Sequence, residues 1–376
     1  MRRNYRLGVL NGVLFTLGES MLSANLVLAL LVRQLGGSLA LVGLLPALQS
    51  GGYLLPQMLV GGRIQGMRAK LPLYRRAALA RVIAYLVLLA AIFGANHFSS
   101  PVSLWLIIIS FSIFNFGGGT STLAFQDVVA KVIPPWRRGS FFGTRQLFGG
   151  LLSFLIVGPL VRWLLNDDSP LAFPQNYGAL GTLGLVCIGG GLLAFALISE
   201  PVQAQPGVRL RVIDGLRRAP VILRTNANYR WFIISRMLTR VGQIAEPFYM
   251  IYATEVLRLP ASAAGLYLAL RAITGALSNL LWGRVSDAGN NRRLVLISGV
   301  LIVLLPVLVL AGPALVLGLG LGSGGMLLAI GLVFLVSGAA NDGSNLAAST
   351  YLLEIAPDDE RPTYMGLANT LLGLAM

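Results

Sequence analysis

Long apolar stretches, separated by short polar ones, follow one another along the whole chain. Ten of them contain about 20 or more residues, enough for a helix to cross about 30 Å of hydrocarbon. They cover residues 7–32, 39–61, 73–95, 101–131, 139–165, 177–199, 229–256, 261–285, 291–312 and 324–355, and an eleventh begins near residue 362. The pattern predicts an all-α, polytopic membrane protein.

The composition agrees with a membrane protein. The chain is 56% hydrophobic and 11% charged, whereas a typical soluble domain has about 25% charged residues. Its one cysteine, Cys187, provides neither a disulfide framework nor a cysteine metal site. We also find no nucleophile or metal cluster in the sequence. We therefore expect no cofactor and no metal, and we do not expect an enzyme.

The net charge of +15 follows the predicted topology. Most of the 29 Lys and Arg residues fall in alternate connections, on the side that also holds the N-terminus. By the positive-inside rule, this predicts a multi-pass protein of the inner (plasma) membrane with a cytoplasmic N-terminus. Because the basic residues are dispersed over six loops rather than collected on one face, we expect no nucleic-acid partner.

Short sequence repeats indicate an internal duplication. Matching segments recur at a nearly constant separation of about 223 residues: "NYR" at 4–6 and 228–230, "GRI" at 62–64 with "GRV" at 283–285, and "IPPWRRGSFFG" at 133–143 with "APDDERPTYMG" at 356–366. Duplicated halves of this kind place a binding site at their interface, near the middle of the membrane.

The duplication predicts two pseudo-symmetric six-helix bundles. We expect the first bundle at 1–199, a basic cytoplasmic linker with an amphipathic helix at 200–228, and the second bundle at 229–376. The second bundle then holds four spans and the start of a fifth. We therefore expect the sequence to be a fragment that stops within its eleventh span.

The loop after the eighth apolar stretch contains the pattern Gly-x-x-x-Asp-x-x-x-x-Arg. With the two six-span halves and the basic central loop, this pattern resembles the major facilitator superfamily of secondary transporters. Its residues here are Gly283, Asp287, Arg292 and Arg293. The first-half copy keeps Gly62 but has Gly66 in place of the aspartate. The resemblance implies that this aspartate latches the two halves together. The resemblance implies a transporter but identifies no solute.

Charged residues at the predicted cytoplasmic ends of the spans are candidates for a gate. Gly283 is expected to permit a close backbone approach where the eighth span leaves the membrane. The alternative is that the loop only anchors the chain at the anionic inner leaflet. The ion pairs that we expect in a gate are Arg292 or Arg293 with Glu354, and Arg63 or Arg76 with Asp127.

Polar and ionisable side chains within the spans are candidates for substrate binding and proton coupling, because they are costly in a membrane. Glu19 lies halfway along the first span, on a stripe of small and polar residues. In the seventh span, Pro247 is expected to bend the helix. The candidates are Glu19, Gln49, Tyr53, Asn115, Arg240, Gln243, Glu246, Arg271, Asp342 and Asn345.

Each candidate charge has two interpretations. Glu19 either acts as a protonation switch between two conformations or forms a structural ion pair with an arginine of the spans. Likewise, Arg240 and Arg271 either bind an anionic group of the substrate or neutralise carboxylates such as Glu19 and Asp342. Because the signs nearly cancel, the sequence does not predict the charge of the substrate.

These observations favour a monomeric secondary active transporter that moves a small solute by alternating access, coupled to protons. Its expected partners are that solute, protons and the lipid bilayer. The alternative is a transport-inactive receptor, scaffold or assembly factor of the same fold. Gly66, in place of the expected aspartate, favours the alternative, whereas the polar stripes of the spans favour the transporter.

Overall fold

The computed structural model describes residues 2–65, 67–201, 220–289 and 291–356, and the single positions 364, 367–368 and 371–372. Helices account for nearly all of these residues, and none of them forms a strand. The helices of the first half are α1 (Arg2–Met21), α2 (Val27–Gln34), α3 (Leu39–Gln65), α4 (Leu71–Phe93), α5 (Ser100–Val132), α6 (Pro135–Leu152), α7 (Gly158–Leu164) and α8 (Gln175–Ala196). Those of the second half are α9 (220–225), α10 (Ala227–Gln243), α11 (Glu246–Ile251), α12 (Ala263–Asp287), α13 (Asn291–Gly318) and α14 (Gly322–Ile355).

Most of the predicted spans are long, apolar helices. Within the described residues, 8 helices are long and apolar enough to cross a membrane, by length and composition. They correspond to the predicted second to sixth and eighth to tenth spans. The fifth span is α6 and α7, joined by a π-helical turn at Ser153–Val157. The all-α membrane fold predicted from the sequence is confirmed.

The first and seventh spans are helices interrupted near the middle. In the first span, α1 ends at Met21 and α2 begins at Val27; in the seventh, α10 ends at Gln243 and α11 begins at Glu246. Pro247 lies in the first turn of α11, where its missing N–H costs no helical hydrogen bond. Interruptions of this kind occur in membranes where the backbone is buried in protein or lines a cavity.

The small residues of the first span allow it to lie against the fifth. A Cβ atom added at Gly8 would lie 2.6 Å from the ring of Phe141, and one added at Gly12 would lie 2.3 Å from Arg145 Nε. Both glycines therefore accept large side chains of α6 directly against the backbone of α1. This packing places the first span directly against α6, and Glu19 of the first span lines the same cavity as Gln146 and Gly150 of α6.

The two halves are in closest contact where the fifth span meets the eighth. A Cβ added at Gly265 would lie 2.3 Å from the Gly158 carbonyl oxygen and 2.4 Å from the Arg162 amide nitrogen. Since both neighbours are backbone atoms, the helices approach this closely only because Gly265 has no side chain. The contact lies near the face of the molecule opposite to the N-terminus, which we call the opposite face; the N-terminal side is the terminal face.

Much of the predicted linker, residues 202–219, lies outside the described residues. The following helix α9 and the seventh span pack against the start of the predicted eleventh span. There the Tyr229 hydroxyl donates to the Tyr364 carbonyl oxygen at 2.9 Å. Leu367 and Ala368 are helical and buried in the same cluster. The described residues of this segment thus belong to the packed second bundle.

Candidate functional site

A cavity of about 400 Å³ lies between the two halves, at the level of the helix interruptions. Both halves supply polar residues to its wall: Glu19, Asn25 and Gln49 from the first, and Arg271, Asn341 and Asp342 from the second. The structure thus brings four of the predicted candidates, Glu19, Gln49, Arg271 and Asp342, around one space.

Glu246 lies behind this wall and joins the halves. Its side chain is 3% exposed. Asn25 Nδ2 donates to Glu246 Oε2 at 2.7 Å, Asn341 Nδ2 donates to Glu246 Oε1, and Arg271 Nη1 lies 3.1 Å from Glu246 Oε2. A buried carboxylate requires such partners to offset its desolvation. Because Asn25 belongs to the first span, this carboxylate connects the interruptions of the first and seventh spans.

The network continues along the seventh span through amide side chains. Gln243 Nε2 donates to Asn341 Oδ1, and Arg240 Nη1 donates to Gln243 Oε1 at 3.1 Å. Arg240 therefore contacts an amide rather than Glu19 or Asp342.

Arg271 also forms its ion pair with a carboxylate other than those two, namely Glu246, although its charge acts on Asp342 as well. The sequence analysis had named Glu19 and Asp342 as the carboxylates that Arg240 and Arg271 would neutralise. The helix is interrupted just before Glu246, and the carboxylate of Glu246 therefore points inward, within ion-pair distance of Arg271.

Glu19 is open to the cavity. Within the described residues it has neither a hydrogen bond nor an ion pair, and the charge that acts on it is that of Arg81. The Arg81 guanidinium is buried and lies over two rings, 4.7 Å from the centroid of Phe15 and 4.2 Å from that of Phe114. The structural alternative, a direct ion pair of Glu19 with a span arginine, is not observed among these residues.

Asp342 faces the cavity from the tenth span. Its Oδ2 accepts a hydrogen bond from Asn279 Nδ2 at 2.9 Å. Sequence reasoning missed Asn279, although it follows Arg271 by eight positions on the same helix and helical spacing could have found it. It also missed Asn25, because the interruption of the first span was not predicted.

Six of the predicted candidates do not line the large cavity: Arg240, Gln243 and Glu246, described above, and Tyr53, Asn115 and Asn345. The Tyr53 hydroxyl accepts a hydrogen bond from Thr122 Oγ1 at 2.7 Å. Asn115 Nδ2 donates to the Phe111 carbonyl oxygen of its own helix at 2.8 Å, and Asn115 lines a smaller pocket beside Glu19. Asn345 is exposed, one turn from Asn341.

Comparison with known proteins agrees with this architecture. A family model described as Major Facilitator Superfamily matches residues 8–376. The chain belongs to the major facilitator superfamily. It is therefore a multi-pass membrane protein of a transporter family whose members bind small-molecule substrates. A search of the curated proteins found no match.

Solved structures of this superfamily have the same fold. A D-xylose–proton symporter is similar with a TM-score of 0.71 and 14% identity, over 99% of this chain and 87% of that one. The nucleoside transporter NupG is similar with a TM-score of 0.69 and 15% identity, over 99% and 88%. The inward-facing structure of a bacterial homologue of the iron transporter ferroportin is similar with a TM-score of 0.62 and 13% identity, over 100% of this chain and 89% of that one. At these identities the likeness shows the fold alone.

On the terminal face of this major facilitator protein, a charge cluster ties the first half together. Asp127 lies 2.6 Å from Lys70 Nζ and 2.7 Å from Lys131 Nζ, and Lys131 Nζ lies 2.7 Å from Glu200. The prediction that Arg76 pairs with Asp127 is wrong, because Lys131 follows Asp127 by one helical turn and Lys70, which immediately precedes α4, lies beside it. The side chain of Arg63 lies outside the described residues.

Glu200 also caps α4. Its carboxylate accepts hydrogen bonds from the Lys70 amide at 2.9 Å and the Leu71 amide at 2.7 Å, where the helix dipole favours a negative charge. Burial opposes the charged form, but the hydrogen bonds from Lys131 and from the two amides outweigh it and hold the pKa of Glu200 below its usual value. Sequence reasoning missed this residue.

Replacing Glu200 with glutamine should lower the free energy of unfolding by about 1–3 kcal/mol near neutral pH, since Lys131 and two amides lose a charged acceptor. The folded-state pKa is lowered, so the carboxylate's contribution is complete above its unfolded-state pKa and is lost as the pH falls through the folded-state pKa. Thermal unfolding in detergent over a pH series should therefore show the two proteins converging in acid. Asp168→Asn, in an exposed loop, is the control, and a difference that persists below both pKa values would contradict this account.

The second half has a different contact at the corresponding place. Glu354 Oε2 accepts a hydrogen bond from Asn291 Nδ2 at 3.0 Å, whereas Arg292 and Arg293 are exposed. The prediction that one of these arginines pairs with Glu354 is wrong in the described structure. Asn291 begins α13, and its short side chain faces the end of α14, where it reaches the carboxylate first.

The loop motif itself provides no close helix approach. A Cβ added at Gly283 would meet no atom within 4 Å, so the prediction of a close backbone approach there is wrong. The eighth span leaves the bundle at this level, and the space beside Gly283 is open. The side chain of Asp287 lies outside the described residues, and its proposed role in a gate stays a prediction.

On the opposite face, an ion pair joins the halves. The Arg33 guanidinium at the end of α2 binds the Glu255 carboxylate through two hydrogen bonds, with Nη2 at 3.1 Å from Oε2. Both side chains are more than a third exposed, so solvent weakens this pair. The two residues lie 222 positions apart, close to the repeat separation, so that corresponding ends of the two halves meet here.

Proposed function

We propose that this chain is a secondary active transporter that moves a small solute by alternating access of its two halves, coupled to protons. The observation that supports this function best is the cavity of about 400 Å³, whose polar wall is built by both halves. A substrate bound there contacts both bundles, and its binding energy can therefore act on their relative position.

The contacts between the halves suggest how the cycle runs. Arg33 with Glu255, and Gly158 with Gly265, join the halves at the opposite face. Asn25 with Glu246 joins them beside the cavity. We take this as a conformer closed at the opposite face, in which access to the cavity comes from the terminal face. Opening the other way requires these contacts to separate.

Glu19 is our candidate for the coupling proton. It faces the cavity without a hydrogen bond or ion pair in the described structure, and a carboxylate in that position is costly when charged. Protonation lowers that cost and favours a conformation in which Glu19 is away from water. The D-xylose–proton symporter of the same fold is consistent with coupling of this kind.

We also infer the orientation in the membrane. The terminal face carries most of the basic residues, among them Arg2, Arg3, Lys70 and Arg75. By the positive-inside rule, that face is cytoplasmic and the protein belongs to the inner membrane. This orientation is tested by introducing single cysteines at each face of the protein and treating intact cells with a membrane-impermeant reagent. Labelling of a cysteine at position 2 would show that the terminal face lies outside the cell and would contradict the inferred orientation.

Transport is tested in proteoliposomes that contain a pH-sensitive dye. A defined mixture of small polar solutes, including D-xylose, a nucleoside and ethanolamine, is added outside, and solute uptake and internal pH are measured together. We expect solute uptake with proton movement in the wild type, and a loss of at least about tenfold in proton movement with Glu19→Gln.

Asp167→Asn, which removes a carboxylate from an exposed loop, is the matched control and should behave as the wild type. If Glu19→Gln leaves the ratio of protons to solute unchanged, Glu19 is not the coupling residue. If no solute moves in any preparation, the transport proposal fails and the transport-inactive receptor or scaffold becomes the better account.

A further inference from the structure

A second, smaller pocket opens beside Glu19, inside the first half. It has a volume of about 30 Å³. Glu19 and Gln49 line both this pocket and the large cavity, while Tyr85, Ser110 and Asn115 line the small one alone. A group bound in the pocket would therefore be continuous with a molecule that fills the cavity.

Tyr85 supplies an unusual feature of this pocket. Its side chain is 5% exposed, and its hydroxyl has no hydrogen-bond partner in the described structure. Buried hydroxyl groups are nearly always hydrogen-bonded, because an unpaired one costs free energy. A ligand that brings a polar group into the pocket would give this hydroxyl its missing partner.

The charges around the cavity favour a positive group. Of the charged residues in the cavity wall, Arg271 is held by Glu246, whereas Glu19 has no ion pair and Asp342 accepts only from the neutral Asn279 among the described residues. The Arg81 charge near Glu19 is stacked on aromatic rings. The wall therefore presents two carboxylates against one arginine that is already paired.

The size of the pocket selects among cations. About 10–15 Å³ holds one water-sized group, so about 30 Å³ admits an ammonium nitrogen with its first methylene. A trimethylammonium group, with carbon on all sides, is too large for it. Carboxylate and hydroxyl oxygens at the pocket accept the N–H groups that a primary ammonium provides.

We propose that the transported solute carries a primary ammonium group, which binds in this pocket between the Glu19 carboxylate and the Tyr85 hydroxyl. The remainder of the solute occupies the large cavity, whose wall offers amide side chains and Asp342. This inference rests on the proposed transport function and adds the substrate class to it.

Four small probes of similar backbone test the proposal: ethanolamine, choline, ethylene glycol and glycolate. They carry a primary ammonium, a quaternary ammonium, no charge and a negative charge. Binding to the purified full chain in detergent is measured by displacement of radiolabelled ethanolamine near neutral pH. We expect ethanolamine to bind at least about tenfold more tightly than each of the other three, which corresponds to about 1.4 kcal/mol.

Two substitutions assign the binding to the pocket. Glu19→Gln should weaken ethanolamine binding by at least about tenfold, and Tyr85→Phe, which keeps the ring, should weaken it by about threefold. Asp167→Asn, remote from the pocket, should leave binding unchanged. Melting temperatures close to that of the wild type show that each variant is folded.

The proposal is overturned if ethylene glycol or glycolate binds as tightly as ethanolamine, or if Glu19→Gln binds as the wild type does. Absence of saturable binding at about 10 mM ethanolamine also overturns it. The proteoliposome assay separates this result from the transport proposal. Uptake of a neutral or anionic solute alone would support the transport proposal and refute the ammonium site. Binding of ethanolamine without uptake of any solute would support the ammonium site and refute the transport proposal.

Discussion

Replacing Glu246 with alanine should lower the free energy of unfolding by about 3–5 kcal/mol and abolish transport. The side chain is buried, and it holds Arg271 and the amides of Asn25 and Asn341. Its removal leaves a guanidinium unpaired in the membrane and releases the first span from the seventh. No other carboxylate in the described structure is held by groups from both halves in this way.

Thermal and chemical unfolding in detergent measure the loss of stability, and solute counterflow in proteoliposomes measures transport. Glu246→Gln keeps the shape and one acceptor oxygen, so it should be less destabilising while transport still falls. Glu255→Ala, in the exposed pair at the opposite face, is the matched control, and we expect little change in its stability. Equal melting temperatures for Glu246→Ala and Glu255→Ala would refute the role assigned to Glu246.

Replacing Gly265 with alanine should slow transport by at least about tenfold and lower the free energy of unfolding by about 1–3 kcal/mol. The added Cβ would lie 2.3 Å from the Gly158 carbonyl oxygen, and a backbone atom gives way only if the helix moves. The fifth and eighth spans must then separate at the opposite face. We expect the variant to favour conformers that are open there.

Gly189→Ala is the matched control, because a Cβ at Gly189 meets no atom within 4 Å and alanine is the better helix former. Distances between spin labels on the fifth and eighth spans, at the opposite face, report the separation directly. If Gly265→Ala transports at the wild-type rate with unchanged label distances, the tight contact is not required for the closed conformer.

The helix interruptions explain why the site holds residues that the sequence analysis did not select. Pro247 indicated a bend in the seventh span, and the structure has an interruption beside it. The first span has no proline near Asn25, so nothing in the sequence indicated that the helix is interrupted there. Asn25 faces Glu246 only because the backbone departs from a continuous helix at this point, and helical spacing alone would assign it another direction.

The partners of the charged residues at the terminal face could not be predicted from the sequence either. Asp127 was selected as a charged residue at the terminal end of its span, with Arg63 or Arg76 as its expected partner. Its contacts with Lys70 and Lys131 depend on how α4 begins and how α5 faces it. Glu200 belongs to the same cluster, yet it was assigned to the start of a linker, because its role follows from the meeting of three chain segments.

The amino-acid sequence by itself determined that the chain crosses a membrane repeatedly as helices, that it has two related halves, and which polar residues lie within the spans. These properties depend on local composition and spacing, since about 20 apolar residues must form a helix in hydrocarbon whatever their neighbours are. Only the tertiary structure decided which of the charges are paired. Glu246 forms the ion pair with Arg271, so Glu19 and Asp342 face the cavity without an ion pair in the described structure. Pairing depends on differences of a few ångströms between side-chain tips on separate helices, and those distances are fixed only when the helices pack.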